Sequence, residues 1–399
     1  MSSAVAPGSH LMPTYAPARV TFVRGEGSWL WDADGRRYLD CLSGIAVTSL
    51  GHAHPAVAAA VAAQAKTLCH VSNLFGNTVG PEVAATLDRL IGPAPGQVFF
   101  ANSGAEANEC AIKLVRRWGG SGGRGGRGGR GRADIVCAYG SFHGRTLATL
   151  AATGQPAKHE GFQPLPEGFR HVAWDDVGAI EAAIGPSVGA VMLEPIQGEF
   201  GLRTPADGYL AEVRRLCDEA DLLMVVDEIQ TGLGRTGHWW GFDHDEVSPD
   251  IVTIAKALGN GMPIGACWAR AEVAGAFRPG DHGSTFGGQP LAAAAARATL
   301  TVMEAEDVPG RARSAGARLA TGLWGMPGVT RVRGRGLLLG AVLEPGLSAR
   351  AVTAAALERG LVVNAPDDGV IRLAPSLLIT DAEVDHAVEV LSAVLAESL

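Results

Sequence analysis

The sequence predicts an open α/β sheet, on three observations. Helix-like and strand-like segments alternate from about Ala56 onward. Three short apolar runs each end in an ionisable group: Val188 to Leu193 before Glu194, Leu222 to Val226 before Asp227, and Ile251 to Ala255 before Lys256. Delivering polar groups at the carboxyl ends of strands is how such a sheet builds a site. Finally, 399 residues, 47% hydrophobic and 19% charged, are enough for a large core and more than one domain.

Along the chain, Gly27 to Tyr38 alternates in polarity and turns at Asp34-Gly35, the pattern of a β-hairpin. His52 and His54 have no third ligand at suitable spacing, so they read as structural histidines near a turn and no metal is expected. Asn102-Ser103-Gly104-Ala105-Glu106 follows the apolar Val98-Phe99-Phe100 and precedes a helical run from Cys110 to Trp118. Gly119 to Arg132 reads GGSGGRGGRGGRGR, a composition that cannot bury a core and predicts a flexible, solvent-exposed loop. Such repeats also occur in proteins that bind single-stranded RNA, but four arginines in an acidic chain favour a tolerated insertion. Gly232-Leu233-Gly234-Arg235-Thr236-Gly237 matches a dinucleotide-binding fingerprint, which would make the protein a nicotinamide-dependent dehydrogenase. That fingerprint must open a helix, and His238-Trp239-Trp240-Gly241-Phe242 follows instead. In the last third, Val362 to Asn364 and Val370 to Leu373 read as strands between helices.

The net charge of −8 argues against nonspecific nucleic-acid binding, which needs a basic face to neutralise phosphates. No apolar run has membrane-spanning length, and Met1 to His10 lacks a charged segment followed by an apolar one, so a cytoplasmic protein is expected. Six cysteines without CxxC spacing read as reduced core residues.

The chemistry rests on Lys256. A lysine carried by an apolar strand into Ala257-Leu258-Gly259-Asn260-Gly261 is partly desolvated, which favours the neutral amine that Schiff-base formation needs. Taken alone, it reads as well as a snorkelling lysine at a strand end. Asp227 shifts the balance, because a buried carboxylate keeps a pyridine-type ring nitrogen protonated, and Gln230 stands three residues on for the ring's phenolic oxygen. Ser103 is a good helix N-cap, which places the amides of Gly104 and Ala105 at the positive helix end where an anion binds. Together these supply phosphate, ring-nitrogen and aldehyde contacts for pyridoxal 5'-phosphate.

Those residues, with Tyr15-Ala16-Pro17, Gly51-His52-Ala53-His54-Pro55, Ser141-Phe142-His143-Gly144-Arg145-Thr146, Glu194-Pro195-Ile196-Gln197-Gly198-Glu199, His282-Gly283-Ser284-Thr285-Phe286-Gly287-Gly288 and Arg372-Leu373-Ala374-Pro375, carry a resemblance from about Tyr15 to Leu395. The chain resembles the class III, ornithine-type aminotransferases of fold type I, and within them the acetylornithine group. The resemblance implies a large cofactor domain at 66–289 with a central, mostly parallel sheet, and a discontinuous small α/β domain made of 1–65 and 290–399. It implies that Phe142 and Ile229 sandwich the cofactor ring, that His143 also contacts the cofactor, and that Ser284 and Thr285 reach the phosphate in a neighbouring subunit, making a homodimer with shared sites. It also implies substrate contacts at Tyr15, Arg145, Ser284 and Arg372, with Glu199 pairing Arg372 while a monocarboxylate donor is bound and releasing it for 2-oxoglutarate. The expected reaction moves the terminal amino group of N2-acetyl-L-ornithine to 2-oxoglutarate, with Lys256 as the proton carrier; ornithine, succinylornithine, succinyldiaminopimelate and 4-aminobutyrate are alternative donors. Phe200, Asn260 and Gln289 depart from the family pattern, and Phe200 is expected to narrow the substrate end. A non-catalytic binding module would have lost Lys256, Asp227 or an arginine, and all are present.

Overall fold

The structure, a computed structural model, describes residues 10–120 and 131–399. Three sheets organise it. The first joins β1 (Phe22–Glu26), β2 (Trp29–Asp32) and β3 (Arg37–Asp40) in antiparallel order, and β2 and β3 form the hairpin expected around Asp34-Gly35.

The second is the seven-stranded sheet that carries the site. Its strands are β4 (Gly96–Ala101), β5 (Asp134–Ala138), β6 (Phe169–Val172), β7 (Val188–Leu193), β8 (Leu223–Asp227), β9 (Ile251–Ile254) and β10 (Gly265–Arg270), in the spatial order β4-β10-β9-β8-β7-β5-β6. β9 through β6 run parallel, while β10 is antiparallel to both β9 and β4. Every residue of β7, β8 and β9 is buried. Unbroken apolar runs of this kind mark strands covered on both faces, which is why periodicity gave continuous runs rather than alternation. The helix Gly104–Gly120 covers one face with Ala107, Ala111, Leu114 and Val115. That helix starts directly after Ser103, the residue read from sequence as its N-cap, ahead of the apolar run Cys110 to Trp118.

The third sheet has the order β11-β12-β15-β14, from β11 (Val329–Arg335), β12 (Leu338–Leu343), β14 (Asn364–Asp367) and β15 (Val370–Leu373). The segment read as one strand at Val362 to Asn364 is divided: β13 (Leu361–Val362) runs parallel to β3 in the first sheet, and β14 belongs to the third. No helix among the described residues is long and apolar enough to cross a membrane.

The glycine-arginine segment falls mostly outside the described residues, and its edges correct the loop reading. Gly119 and Gly120 complete the long helix. Arg132 is anchored, donating to the carbonyls of Asp221 (2.9 Å) and Ala220 (3.0 Å). The fingerprint-like segment at 232–237 opens no helix. Its Arg235 is 1% exposed and donates to Leu337 O (3.0 Å), Pro375 O (2.6 Å) and Ser49 Oγ (3.1 Å), tying three distant segments together. Asn260 sits at φ 46°, where asparagine is tolerated, and clamps the backbone of Leu50 (2.8 Å) and Gly51 (3.1 Å).

Candidate active site

The carboxyl ends of β7, β8 and β9 open into one cavity of about 390 Å³. Its lining includes Ser103, Gly104, Ala105, Phe142, His143, Arg145, Glu199, Asp227, Ile229, Gln230 and Lys256. Lys256 follows β9 after one residue and lies at φ 43°, a left-handed backbone uncommon for a non-glycine residue. Burial drives its ammonium below the ordinary lysine range, against the opposing pull of Glu199.

Asp227 ends β8 at 3% exposure. Its Oδ2 accepts from Asn108 Nδ2 (2.8 Å) and His143 Nδ1 (2.8 Å), and its Oδ1 accepts from the Ile229 amide (3.1 Å). Asn108 also donates to His143 O (2.7 Å), so one amide fixes both partners. Beside them Glu194 accepts from the Phe142 amide (3.0 Å); burial, reinforced by Asp227, raises its carboxyl well above the usual range.

At the helix end, the Glu106 amide donates to Ser103 Oγ (3.2 Å) and Glu106 Oε2 accepts from the Asn102 amide (2.5 Å). The Gly104 and Ala105 amides, in the first turn, have no intrahelical acceptor and line the cavity. At the other end Arg372, 1% exposed, donates through Nη1 to Glu199 Oε1 (2.6 Å) and Gly198 O (2.7 Å), and through Nε to Asn364 Oδ1 (3.1 Å). Gln230 Nε2 donates to the same Glu199 oxygen (3.2 Å). Burial pushes the Glu199 carboxyl up, but Arg372 and Lys256 outweigh it and hold it below its ordinary range.

The class-III aminotransferase family model matches residues 12–395. The chain belongs to that family. It is 48% identical over 396 residues to an acetylornithine aminotransferase of Corynebacterium efficiens, covering 97% of this chain and 95% of that one. A Gloeobacter violaceus protein of the same name is 48% identical over 394 residues, covering 97% and 96%. Among solved structures, ornithine aminotransferase from Toxoplasma gondii, with pyridoxal phosphate at partial occupancy in its active site, superposes with a TM-score of 0.91 at 36% identity, over 98% of this chain and 92% of that one. N-acetylornithine aminotransferase from Stenotrophomonas maltophilia gives 0.83 at 38% identity, covering 96% of each.

Not every residue expected of an aminotransferase site reaches this cavity. Ser284 and Thr285 line a neighbouring cleft of about 790 Å³ with Asn73, Phe99 and His282; Ser284 touches the site only through Asn102 Nδ2 (3.3 Å). Tyr15 is 91% exposed and outside the lining. Phe200 does not narrow the cavity: it lies outside the lining, packed by Gly140 and under the Arg203 guanidinium at 4.5 Å. Sequence reasoning gave no role to two contributors. Asn108 could have been found as a polar residue on the buried face of an apolar helix. Glu194, by contrast, was visible as a strand end. Lys158, in a three-residue turn, gave no signal; it donates to Gln155 Oε1 (2.6 Å) and feels the charges of Arg145 and Glu199.

Proposed function

We propose that this aminotransferase uses pyridoxal 5'-phosphate to move the terminal amino group of N2-acetyl-L-ornithine to 2-oxoglutarate. The observation that carries the reading is the convergence of Lys256, Asp227 and Glu199 on one cavity, with Arg372 held behind Glu199 outside the lining. The acetylornithine donor is favoured by the relatives that bear that name at 48% identity.

The residues fit the cofactor. Gln230 Oε1 and His143 Nε2 are buried without partners, and the free amides of Gly104 and Ala105 suit a phosphate. Gly104 is also required sterically, since a side chain there would come within 2.7 Å of Ile229 Cδ1. When bound, the cofactor supplies an aldehyde to receive the amino group and an electron-withdrawing ring. Asp227 Oδ2 would hold the proton on the ring nitrogen, with Asn108 and His143 fixing its position. Phe142 and Ile229 would keep the ring between them and exclude water. Lys256 Nζ, whose neutral form desolvation favours, would take the proton from the substrate carbon and deliver it to the cofactor carbon. Arg145 binds the donor carboxylate. Glu199 neutralises Arg372 while a monocarboxylate is present, and Arg372 turns to the second carboxylate of 2-oxoglutarate, which avoids an unpaired buried charge.

The working unit we propose is a cytoplasmic homodimer in which Ser284 and Thr285 serve the partner's site. Leu74, which lines the Ser284 cleft, and its chain neighbour Phe75 are each more than half exposed, as is Phe286 next to Thr285, and these apolar groups favour the cleft's being covered. A small domain discontinuous in sequence, 1–65 with 290–399 around a large domain at 66–289, is favoured by the pairing of β13 with β3.

Borohydride treatment followed by mass mapping should find the cofactor fixed to Lys256; an adduct at another lysine overturns the assignment. Specificity constants for N2-acetylornithine, ornithine, succinylornithine, succinyldiaminopimelate and 4-aminobutyrate, each with 2-oxoglutarate, should rank acetylornithine first.

A further inference from the structure

The strand β11 reads Val329-Thr330-Arg331-Val332-Arg333-Gly334-Arg335 and lies at a sheet edge. Arginine at every second position places three guanidinium groups on one face. Arg203 faces them from the loop that follows Glu199. With Trp174, Thr204 and Asp207 these arginines line an open cleft of about 660 Å³ that shares no lining residue with the active-site cavity.

The charges there do not cancel. Arg335 is taken by Asp207 (2.6 Å), and Asp175 accepts from the Ala206 amide (3.0 Å). Arg333 donates to Gly201 O (3.1 Å) and has Asp367 near it. Arg203 lies over the Phe200 ring, and neither its guanidinium nor that of Arg331 has an ion pair among the described residues. Burial, then the like charges of Arg331 and Arg203, depress the proton affinity of Arg333. Charged side chains on an edge strand discourage strand-to-strand aggregation, which accounts for arginines on β11. It does not account for Arg203 arriving from another element to join them.

We propose that the cleft binds a compact oxyanion of at least two negative charges, bridged by Arg203, Arg331 and Arg333. Planar guanidinium forks suit both phosphate and carboxylate oxygens, so a phosphate group and a small polycarboxylate share this chemistry. The site is wired to the active-site loop. Gln197 and Arg203 exchange backbone hydrogen bonds, each of 3.0 Å, which close residues 197–203 into a loop with Glu199 on it. Arg333 holds the carbonyl of Gly201 in that same loop. An anion bridging Arg203 to Arg331 and Arg333 therefore braces the segment that positions Glu199.

Calorimetric titration of the holoenzyme with inorganic phosphate, citrate and acetate at fixed ionic strength tests this. Phosphate or citrate should bind at least ten-fold more tightly than acetate, and the tighter of the two identifies the ligand source. Arg203→Ser and Arg331→Ser should each weaken that binding ten-fold or more, whereas Arg145→Ala should leave it intact; Arg331→Glu, at an exposed position, should abolish it. Amide exchange across 197–203 should slow on addition of the bound anion in the wild type alone. Binding that survives in Arg203→Ser and Arg331→Ser, or that is lost only in Arg145→Ala, overturns the site. Binding without slowed exchange overturns the bracing of the loop.

Discussion

The floor of the cavity and its carboxylate end are built on opposite terms. At the floor, the Asp227 carboxylate accepts three hydrogen bonds, from buried Asn108 and His143 and from the half-buried Ile229. It has one place to be. At the other end, one oxygen of Glu199 is shared between Arg372 and Gln230, the Glu199 side chain is 27% exposed, and Arg372 Nη2 is buried without a partner. Fixed partners suit a group whose task is the same for every substrate; exchangeable partners suit one that must meet one carboxylate in one half-reaction and two in the next.

The sharpest way to break the floor is Lys256→Ala, which should reduce turnover by at least about 10⁴-fold, the upper range for a positioned proton carrier. The fold should survive. Because burial holds the Lys256 ammonium below its ordinary range, the unfolded chain binds more protons than the folded one between the depressed value and the usual lysine pKa. Stability of the cofactor-free protein therefore rises with pH across that window. Melting curves of the Ala variant should lack that rise; an unchanged pH dependence would mean the amine is not desolvated.

Asp227→Ala comes next, and it should act on the fold as well as on the chemistry. His143 Nδ1 and the Ile229 amide lose their acceptor. Each orphaned buried donor costs about 1–3 kcal/mol. Lower melting temperature together with weakened cofactor retention is the expected result. Unchanged melting would show that water replaces the carboxylate and that the floor is less rigid than its hydrogen bonds imply.

The same contrast governs how much was legible in the sequence. Lys256, Asp227 and the Ser103 turn sit where an apolar strand meets a polar group, and chain order alone exposes that junction. Asn108 is different: its role depends on which way a helix face points across the sheet. The helix start at Gly104 was legible only from its capping residue Ser103, because the first turn is set by the Ser103 and Glu106 caps rather than by apolar spacing. Val362 to Asn364 read as one strand because nothing local tells that its two halves join different sheets. Tyr15, Ser284 and Thr285 were placed through resemblance, and within one chain they stand away from the cavity.

At the exchangeable end, Arg372→Ala should weaken the 2-oxoglutarate half-reaction by about 2–5 kcal/mol, the scale for truncating one member of a buried charge pair. Glu199→Ala should do the reverse, keeping or tightening 2-oxoglutarate while slowing the donor half-reaction. Single-turnover absorbance changes separate the two. Equal slowing of both half-reactions in both variants would reduce the pair to a structural ion pair and erase the contrast with the floor.

The smallest effect expected is at Lys158, and it sharpens the comparison by asking how far the exchangeable end extends. Lys158 is half-buried, held by Gln155, and within electrostatic range of both Arg145 and Glu199. Its charge repels Arg145 in the free site, and an incoming carboxylate relieves that repulsion, so the lysine should favour donor binding without touching the reacting atoms. Partly exposed charges interact by about 0.2–1 kcal/mol. Lys158→Met should therefore raise the donor KM by no more than about five-fold with kcat unchanged, and the difference should fade as salt shortens the screening length. A fall in kcat that persists at high salt would place Lys158 with the fixed groups of the floor instead.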